Sequence, residues 1–125
     1  STESSFDLSI DIFKFTTLDT KEGLFHLGDN KELYLKILSR FYEDYYQLNL
    51  GILKVEEFKI TIHTLKGLSL NIGALDLTKI VKQLEGQKSA ELIAEFNKEL
   101  NLVLEDIRKN IKQGMVQMAG LMLLK

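Results

Sequence analysis

The chain has 125 residues, of which 45% are hydrophobic and 27% charged, a composition typical of a single globular domain. Its formal net charge of −2 argues against a nucleic-acid-binding surface, because such a surface needs clustered basic residues. There is no cysteine, which excludes disulfides, thiol catalysis and cysteine-ligated metals. No apolar run is long enough to span a membrane, and no signal peptide is visible.

The beginning of the chain predicts little regular structure. Residues 1–5 are polar, and residues 6–15 at first alternate apolar and polar side chains, as a half-buried strand does. No second strand candidate follows with which such a strand would pair. We therefore expect 1–17 to be a linker and an irregular N-terminal segment that lies over one end of a helical domain.

Two helices are predicted next. A short helix over 18–27 would have Thr20 as its N-cap. Asp29 and Glu32 have the spacing of a capping box, which predicts a second helix over 30–50. The apolar stripe of that second helix would comprise Leu33, Ile37, Phe41, Tyr45 and Leu48.

The second helix also carries four aromatic residues, namely Phe41, Tyr42, Tyr45 and Tyr46. Stacking on a nucleobase is one interpretation of such a cluster. The acidic neighbours Glu43 and Asp44 disfavour it, so packing in the core and at its rim is the preferred interpretation.

Three longer apolar patterns complete the prediction. A third helix is expected over 55–71, a fourth over 75–85, and a fifth after Ser89 as N-cap. Segment 113–125 is apolar but has poor helical periodicity, and its structure is left open. The inward-facing residues would be Phe58, Ile62, Leu65, Ser69 and Ile72; Leu77, Ile80, Val81 and Leu84; and Leu92, Phe96, Leu100, Val103, Leu104, Ile107 and Ile111.

Short turns marked by glycine join helices of similar length, and such turns favour antiparallel neighbours. The sequence therefore predicts an all-α fold. Its domain would be an antiparallel four-helix bundle over 18–112 with an additional short N-terminal helix.

The third predicted helix carries the residues best suited to chemistry. His63 and Lys66 are three residues apart, which places them on one face about 5–6 Å apart at Cβ, away from the apolar stripe. An exposed neutral imidazole can attack phosphorus through one nitrogen, and a lysine can neutralise phosphoryl oxygens. A general base would need a nucleophile or a pocket beside it, and the sequence neighbours of His63 supply neither.

Gly67 follows directly on the same surface. A glycine inside a helix costs about 1 kcal/mol relative to alanine, so its presence calls for a compensating benefit. We interpret the missing side chain as space for a second protein to approach the imidazole. Two alternatives stay open: His63 is an incidental surface histidine, and Gly67 only permits a contact between helices.

Metal and nucleotide sites find no support. His26 is the only other histidine, and no second ligand stands at a metal-binding spacing from His63. A glycine-rich phosphate loop is also absent, so we expect no ATP site and no resident cofactor or metal.

At this point the motifs resemble those of a known family. The run His63-Thr-Leu-Lys-Gly67, followed by Asn-Ile-Gly-Ala74, Leu77 and Leu84-Glu85, resembles the histidine-containing phosphotransfer (HPt) domain of multistep two-component signalling. The earlier pattern from Leu24 through Gly-Asp-Asn to Phe41 is similar to the first two helices of that family. The resemblance spans about residues 18–107.

The resemblance implies a phosphorelay intermediate rather than an enzyme. His63 would accept a phosphoryl group from the aspartate of one response-regulator receiver domain and pass it to another. Lys66 would steady the phosphoryl oxygens, Gly67 would admit the receiver's loop, and Glu85 would hydrogen-bond the imidazole and fix its tautomer. For Glu85, an ordinary exposed position at a helix end is the alternative.

One departure from the family concerns partner choice. Small residues are common after the family's glycine, whereas this chain has Leu68 and Leu70. We expect Leu70 to be exposed and to form an apolar docking rim with Leu24 or Phe25. Mg²⁺ would belong to the receiver. The isolated domain would be monomeric and cytoplasmic, and it would neither bind nucleic acid nor insert directly into a membrane. It would form part of a hybrid sensor kinase, as the cytoplasmic end of a membrane-bound protein in one version of this expectation.

Three other hypotheses were weighed. The phosphoacceptor domain of a chemotaxis-type kinase has a differently composed glycine-rich stretch after its histidine. A helical interaction module would carry an incidental histidine. A hydrolase with His63 as base lacks a nucleophile and a pocket in the sequence around it.

Overall fold

The computed structural model describes residues 11–112, and all regular structure within them is helical. The expected all-α class is therefore confirmed for this part of the chain, whereas residues 1–10 and the apolar segment 113–125 lie outside it. Short 3₁₀ turns precede α1 and α3, and a π-helical turn continues α5. The helices are α1 (Thr20–His26), α2 (Lys31–Tyr45), α3 (Val55–Ile72), α4 (Leu75–Gly86) and α5 (Ala90–Ile107).

The helices enclose one hydrophobic core. α3 packs against α4 and α1, α4 packs against α5, and α2 contacts both α5 and α3. All five residues predicted for the stripe of α3 are buried, so this helix turns its other face to solvent. The largest fully buried side chains are Tyr34, Phe96, Leu35, Leu38, Leu50, Ile62, Leu65, Ile72, Leu77, Ile107, Ile111 and Val81.

The predicted stripe of α2 was wrong in part. Leu33 is 40% exposed, whereas Tyr34 is fully buried and its hydroxyl donates a hydrogen bond to the Ile72 carbonyl at 2.7 Å. A buried tyrosine needs a partner for its hydroxyl, and the end of α3 supplies one. The helix also stops at Tyr45 rather than at Leu50, which is buried in the following 3₁₀ turn.

The predicted helix starts shift by one residue. Asp19, not Thr20, caps α1, because its carboxylate accepts from the Glu22 backbone N–H at 3.0 Å. Asn30 caps α2 by accepting from the Leu33 backbone N–H at 3.0 Å, so the expected capping box at Asp29 does not form. The Ser89 cap predicted for α5 is confirmed.

The C-terminal end of α3 is held against α1. Gly73 ends the helix at φ +82°, and its carbonyl accepts from the Asp19 backbone N–H at 2.8 Å. A Cβ at Gly23 would lie 2.6 Å from the Tyr34 ring, so this position must also be glycine for the helices to pack so closely. Consequently the helix that carries His63 has a fixed position relative to α1.

A buried carboxylate attaches the beginning of the described chain to α5. Asp106 accepts from the backbone N–H groups of Thr16 and Thr17, at 2.9 and 2.8 Å, and from the Thr17 hydroxyl at 2.7 Å. Ile12 and Phe15 are buried in the same core. These residues therefore contribute to the stability of the helical domain.

Over residues 11–112, no helix is both long enough and apolar enough to cross a lipid bilayer.

Candidate functional site

The site is built on the solvent-facing side of α3. The His63 side chain is 79% exposed, as a partner-accessible nucleophile requires. Lys66 follows one turn later, half-buried along its stem, and Gly67 is exposed beside it. The buried stripe of α3 fixes the rotation of the helix and thereby the direction in which these residues point.

Glu85 reaches this surface from the last turn of α4. Its position depends on the packing of α4 against α3, which includes a buried hydrogen bond from the Thr78 hydroxyl to that of Ser69 at 2.9 Å. The neighbouring Leu84 is buried, so the helix cannot rotate without losing core contact.

The three charged or titratable groups meet in one cluster. Lys66 Nζ lies 2.9 Å from Glu85 Oε1, and His63 Nδ1 lies 3.7 Å from Glu85 Oε2. The latter distance is too long for a hydrogen bond. Glu85 is thus close to the imidazole, as expected, but its direct hydrogen bond is with Lys66.

The neighbouring Lys66 and His63 change the pKa of the Glu85 carboxylate. The hydrogen bond from Lys66 is the main influence that lowers the pKa of Glu85 below its usual value, partly opposed by desolvation. The charge of Lys66 and the proximity of His63 lower the pKa further. Glu85 is therefore ionised across the neutral pH range.

The ion pair between Lys66 and Glu85 should be detectable in a pH titration of Glu85. Because the pKa of Glu85 is lowered, the contribution of the pair to stability is present above the ordinary glutamate pKa and is lost as the pH falls through the lowered value. We expect Lys66→Met to raise the pKa of Glu85 in an NMR titration of its side-chain carboxyl carbon. Lys36→Met, which removes an exposed pair with Glu32, is the matched control and should leave it unchanged. An unaltered titration in Lys66→Met would show that the pair does not persist in solution.

Gly67 has no packing role within the described chain. A Cβ built at this position meets nothing within 4 Å. The alternative that Gly67 permits a helix–helix contact is therefore contradicted. The space above this turn is open to solvent beside His63.

The three residues of the expected docking rim differ in accessibility. Phe25 is 74% exposed and Leu70 is 39% exposed, whereas Leu24 is partly buried and packs on the core. α1 packs directly against α3, the helix that carries Leu70. Of the two α1 residues considered, Phe25 is the more exposed.

The aromatic cluster of α2 divides between core and rim. Phe41 is buried, and its ring centroid lies 5.0 Å from that of Tyr45, which is partly buried. Tyr42 and Tyr46 stack on each other with centroids 5.5 Å apart. Core packing therefore accounts for Phe41 and Tyr45, whereas Tyr46 lies at the rim and is 52% exposed.

The structure also contains a cleft that sequence analysis missed. It has a volume of about 290 Å³ and lies between the N-terminal half of α3 and the C-terminal end of α4, with Glu85 in its lining. Its lining residues come from 55–62 and 84–88, so no local motif reveals it. Among residues 11–112 the lining includes no serine, threonine or cysteine, so the cleft itself offers no such side chain as a hydrolytic nucleophile.

No group of three or more histidine, aspartate or glutamate side chains suited to a metal ion occurs within residues 11–112. Comparison of the chain with protein-family models, curated proteins and solved structures finds no match. Function is therefore inferred from the geometry of the site together with the motif resemblance.

Proposed function

We propose that this chain is a histidine-containing phosphotransfer domain that acts as a phosphorelay intermediate. In this proposal α2–α5 form an antiparallel four-helix bundle and α1 is the additional short helix. His63 accepts a phosphoryl group from the aspartate of one receiver domain and donates it to another. The observation that carries the proposal is the exposed His63 beside Lys66, Glu85 and the uncovered turn at Gly67.

The contact of the ring with Glu85 favours one tautomer. Since Nδ1 faces the carboxylate, a proton on Nδ1 is stabilised there, and Nε2 keeps the lone pair for attack. In the forward step Nε2 forms a bond to phosphorus while the bond between phosphorus and the aspartyl oxygen breaks, and the aspartate leaves as a carboxylate. The ring becomes cationic, and Glu85 stabilises that charge from the opposite side.

Lys66 supplies the second electrostatic contribution. Its ammonium group is held at Glu85, one helical turn from His63, before transfer. A phosphoryl group on Nε2 brings two to three anionic oxygens to the same surface, and the lysine can then move from the carboxylate to these oxygens. Glu85 is left to accept from Nδ1–H of the phosphorylated ring.

The division of labour between the partners follows from what the site offers. An aspartyl phosphate and a phosphohistidine are both reactive, so transfer between them can be reversible without ATP. Mg²⁺ and most of the catalytic groups are assigned to the receiver. This chain presents a nucleophile in fixed geometry on a packed helix, in the cytoplasm and as a monomer.

The proposal is tested by incubating the chain with a phosphorylated receiver and Mg²⁺. We expect a phosphoryl label that is labile in acid and stable in base, as a phosphorus–nitrogen bond is. Absence of such a label with a panel of active receivers would contradict the proposal.

Removal of the lysine should slow transfer without unfolding the chain. A hydrogen bond to a charged group is worth about 1.5–3 kcal/mol, so Lys66→Ala should reduce the transfer rate about 10- to 100-fold. Circular dichroism should show unchanged helicity, because Lys66 is partly exposed. Loss of helicity would mean that Lys66 has a structural rather than an electrostatic role.

A substitution at Gly67 should affect the stability of the chain and the access of a partner in opposite directions. Because a Cβ at this position meets nothing within 4 Å among residues 11–112, Gly67→Ala should raise the free energy of unfolding by up to about 1 kcal/mol. The same methyl group lies where the receiver approaches, so transfer should be slower. Asn97→Ala, an exposed substitution within α5, is the control that should raise stability slightly and leave transfer unchanged. If the Gly67→Ala variant kept full transfer activity, the turn at Gly67 would have no role in docking.

A further inference from the structure

The cleft between α3 and α4 has features of a binding site in its own right. Phe58, Ile62 and Leu84 are buried core residues whose surfaces form its apolar floor. Val55, at the start of α3, is 63% exposed and adds an apolar side chain to the wall. His63 is not among the lining residues, but Glu85 is, so the cleft adjoins the proposed phosphoryl position without including the imidazole.

The charges around the cleft do not cancel. Lys59 pairs with Glu56 at 3.8 Å, and Glu85 pairs with Lys66 at 2.9 Å. Lys88 lies with its ammonium 4.6 Å from the centroid of the Phe58 ring, and no carboxylate of residues 11–112 forms an ion pair with it. The cleft therefore combines an apolar floor with one uncompensated cation at its edge.

The size of the cleft limits what can occupy it. Its volume of about 290 Å³ is at the lower end of the range for small-molecule pockets, and it is open on one side. Such a depression accommodates one large side chain projecting from a chain that stays outside it, as in the anchored contacts of protein interfaces.

We propose that this cleft binds a segment of a partner protein that presents one aromatic or large aliphatic side chain next to a carboxylate. The apolar side chain lies on Phe58, Ile62 and Leu84, and the carboxylate pairs with Lys88. The proposal does not depend on phosphoryl transfer, because the probe described below reports on binding alone.

The test uses three short peptides that share one central phenylalanine. The first has flanking glutamates, the second glutamines and the third lysines, and each is titrated into the isotope-labelled full chain by NMR. We expect the glutamate peptide to bind most tightly and to shift the signals of Val55, Phe58, Leu84 and Lys88. Its affinity should fall as salt is added.

Variants locate the interaction. Lys88→Met keeps the aliphatic stem over Phe58 but removes the charge, and should weaken the glutamate peptide about three- to fivefold. Lys88→Arg should restore binding, and Lys79→Met, an exposed change elsewhere on α4, should have no effect. Val55→Glu should abolish binding while preserving the fold, since a carboxylate in the first turn of a helix is favourable.

Three results would overturn the proposal. Equal affinity of the three peptides would show that the charge of Lys88 does not contribute to binding. If no signals shift, or if only signals outside the cleft shift, the cleft is not the binding site. Cleft signals that move with protein concentration in the absence of peptide would assign the cleft to a second copy of this chain. The phosphoryl label on His63 is measured independently, so failure of one proposal leaves the other intact.

Discussion

Replacement of His63 with glutamine is expected to abolish the acid-labile phosphoryl label that the relay proposal predicts for the chain after incubation with a phosphorylated receiver. The amide of glutamine has a similar reach but no nucleophilic nitrogen, so no phosphorus–nitrogen bond can form. Because the histidine side chain is 79% exposed, the free energy of unfolding should change by no more than about 0.5 kcal/mol. The measurement is radiolabel retained on the chain after electrophoresis at neutral and at acidic pH.

The chain offers a matched control in its second histidine. His26 lies on α1, where its Nε2 is 3.4 Å from Glu22 Oε1. The ion pairs of Glu85 within residues 11–112 are instead with His63 and Lys66. His26→Gln should therefore carry the label at the wild-type level. Undiminished label on His63→Gln would falsify the relay proposal, and loss of label in both variants would point to a general effect on docking.

Substitution of Gly73 with alanine is expected to have the largest effect on stability. Gly73 has φ +82°, a conformation that costs a residue with a side chain about 1–2 kcal/mol. The added Cβ would also overlap the carbonyl of Asp19, which forces α1 away from the end of α3. Together these effects should lower the free energy of unfolding by about 3 kcal/mol or more, as measured by urea denaturation.

Substitutions at two other glycines distinguish the cost of the positive φ from the cost of the steric overlap with Asp19. Gly28 has φ +63° but open space around its Cβ position, so Gly28→Ala should show the conformational cost alone, about 1 kcal/mol. Gly86 has open space and no positive φ, so Gly86→Ala should not destabilise the chain. If Gly73→Ala and Gly28→Ala were equally destabilised, the contact between α1 and α3 would contribute little.

The contrast between α3 and α2 shows what sequence patterns can predict. All five inward positions of α3 follow from a regular spacing that only one helix face satisfies. In α2, Leu33 and Tyr34 are adjacent and both apolar enough to be buried. Tyr34 is the buried residue of the two, because the backbone carbonyl of Ile72, which is distant in sequence, accepts a hydrogen bond from its hydroxyl. Periodicity within α2 contains no information about that partner.

The candidate site also has one part that the sequence predicts and one part that depends on how the helices pack. The proximity of His63, Lys66 and Gly67 follows from helical spacing alone. Glu85 was placed near His63 only by the family resemblance, and its closer pairing with Lys66 depends on how α4 packs against α3. The cleft beside Glu85 could not be anticipated, because its two walls come from separate helices.

The pairing of Lys66 with Glu85 has a consequence for the speed of encounter. One positive and one negative charge lie 2.9 Å apart, so the pair itself contributes almost no net field at a distance. The pair therefore does little to steer a charged partner towards the site from a distance. In the proposed relay, a phosphoryl group on His63 would add negative charge and end this balance. If the relay proposal is correct, the Lys66–Glu85 pair should add little to the rate at which receivers associate with the unphosphorylated chain, and that rate should change once His63 carries a phosphoryl group.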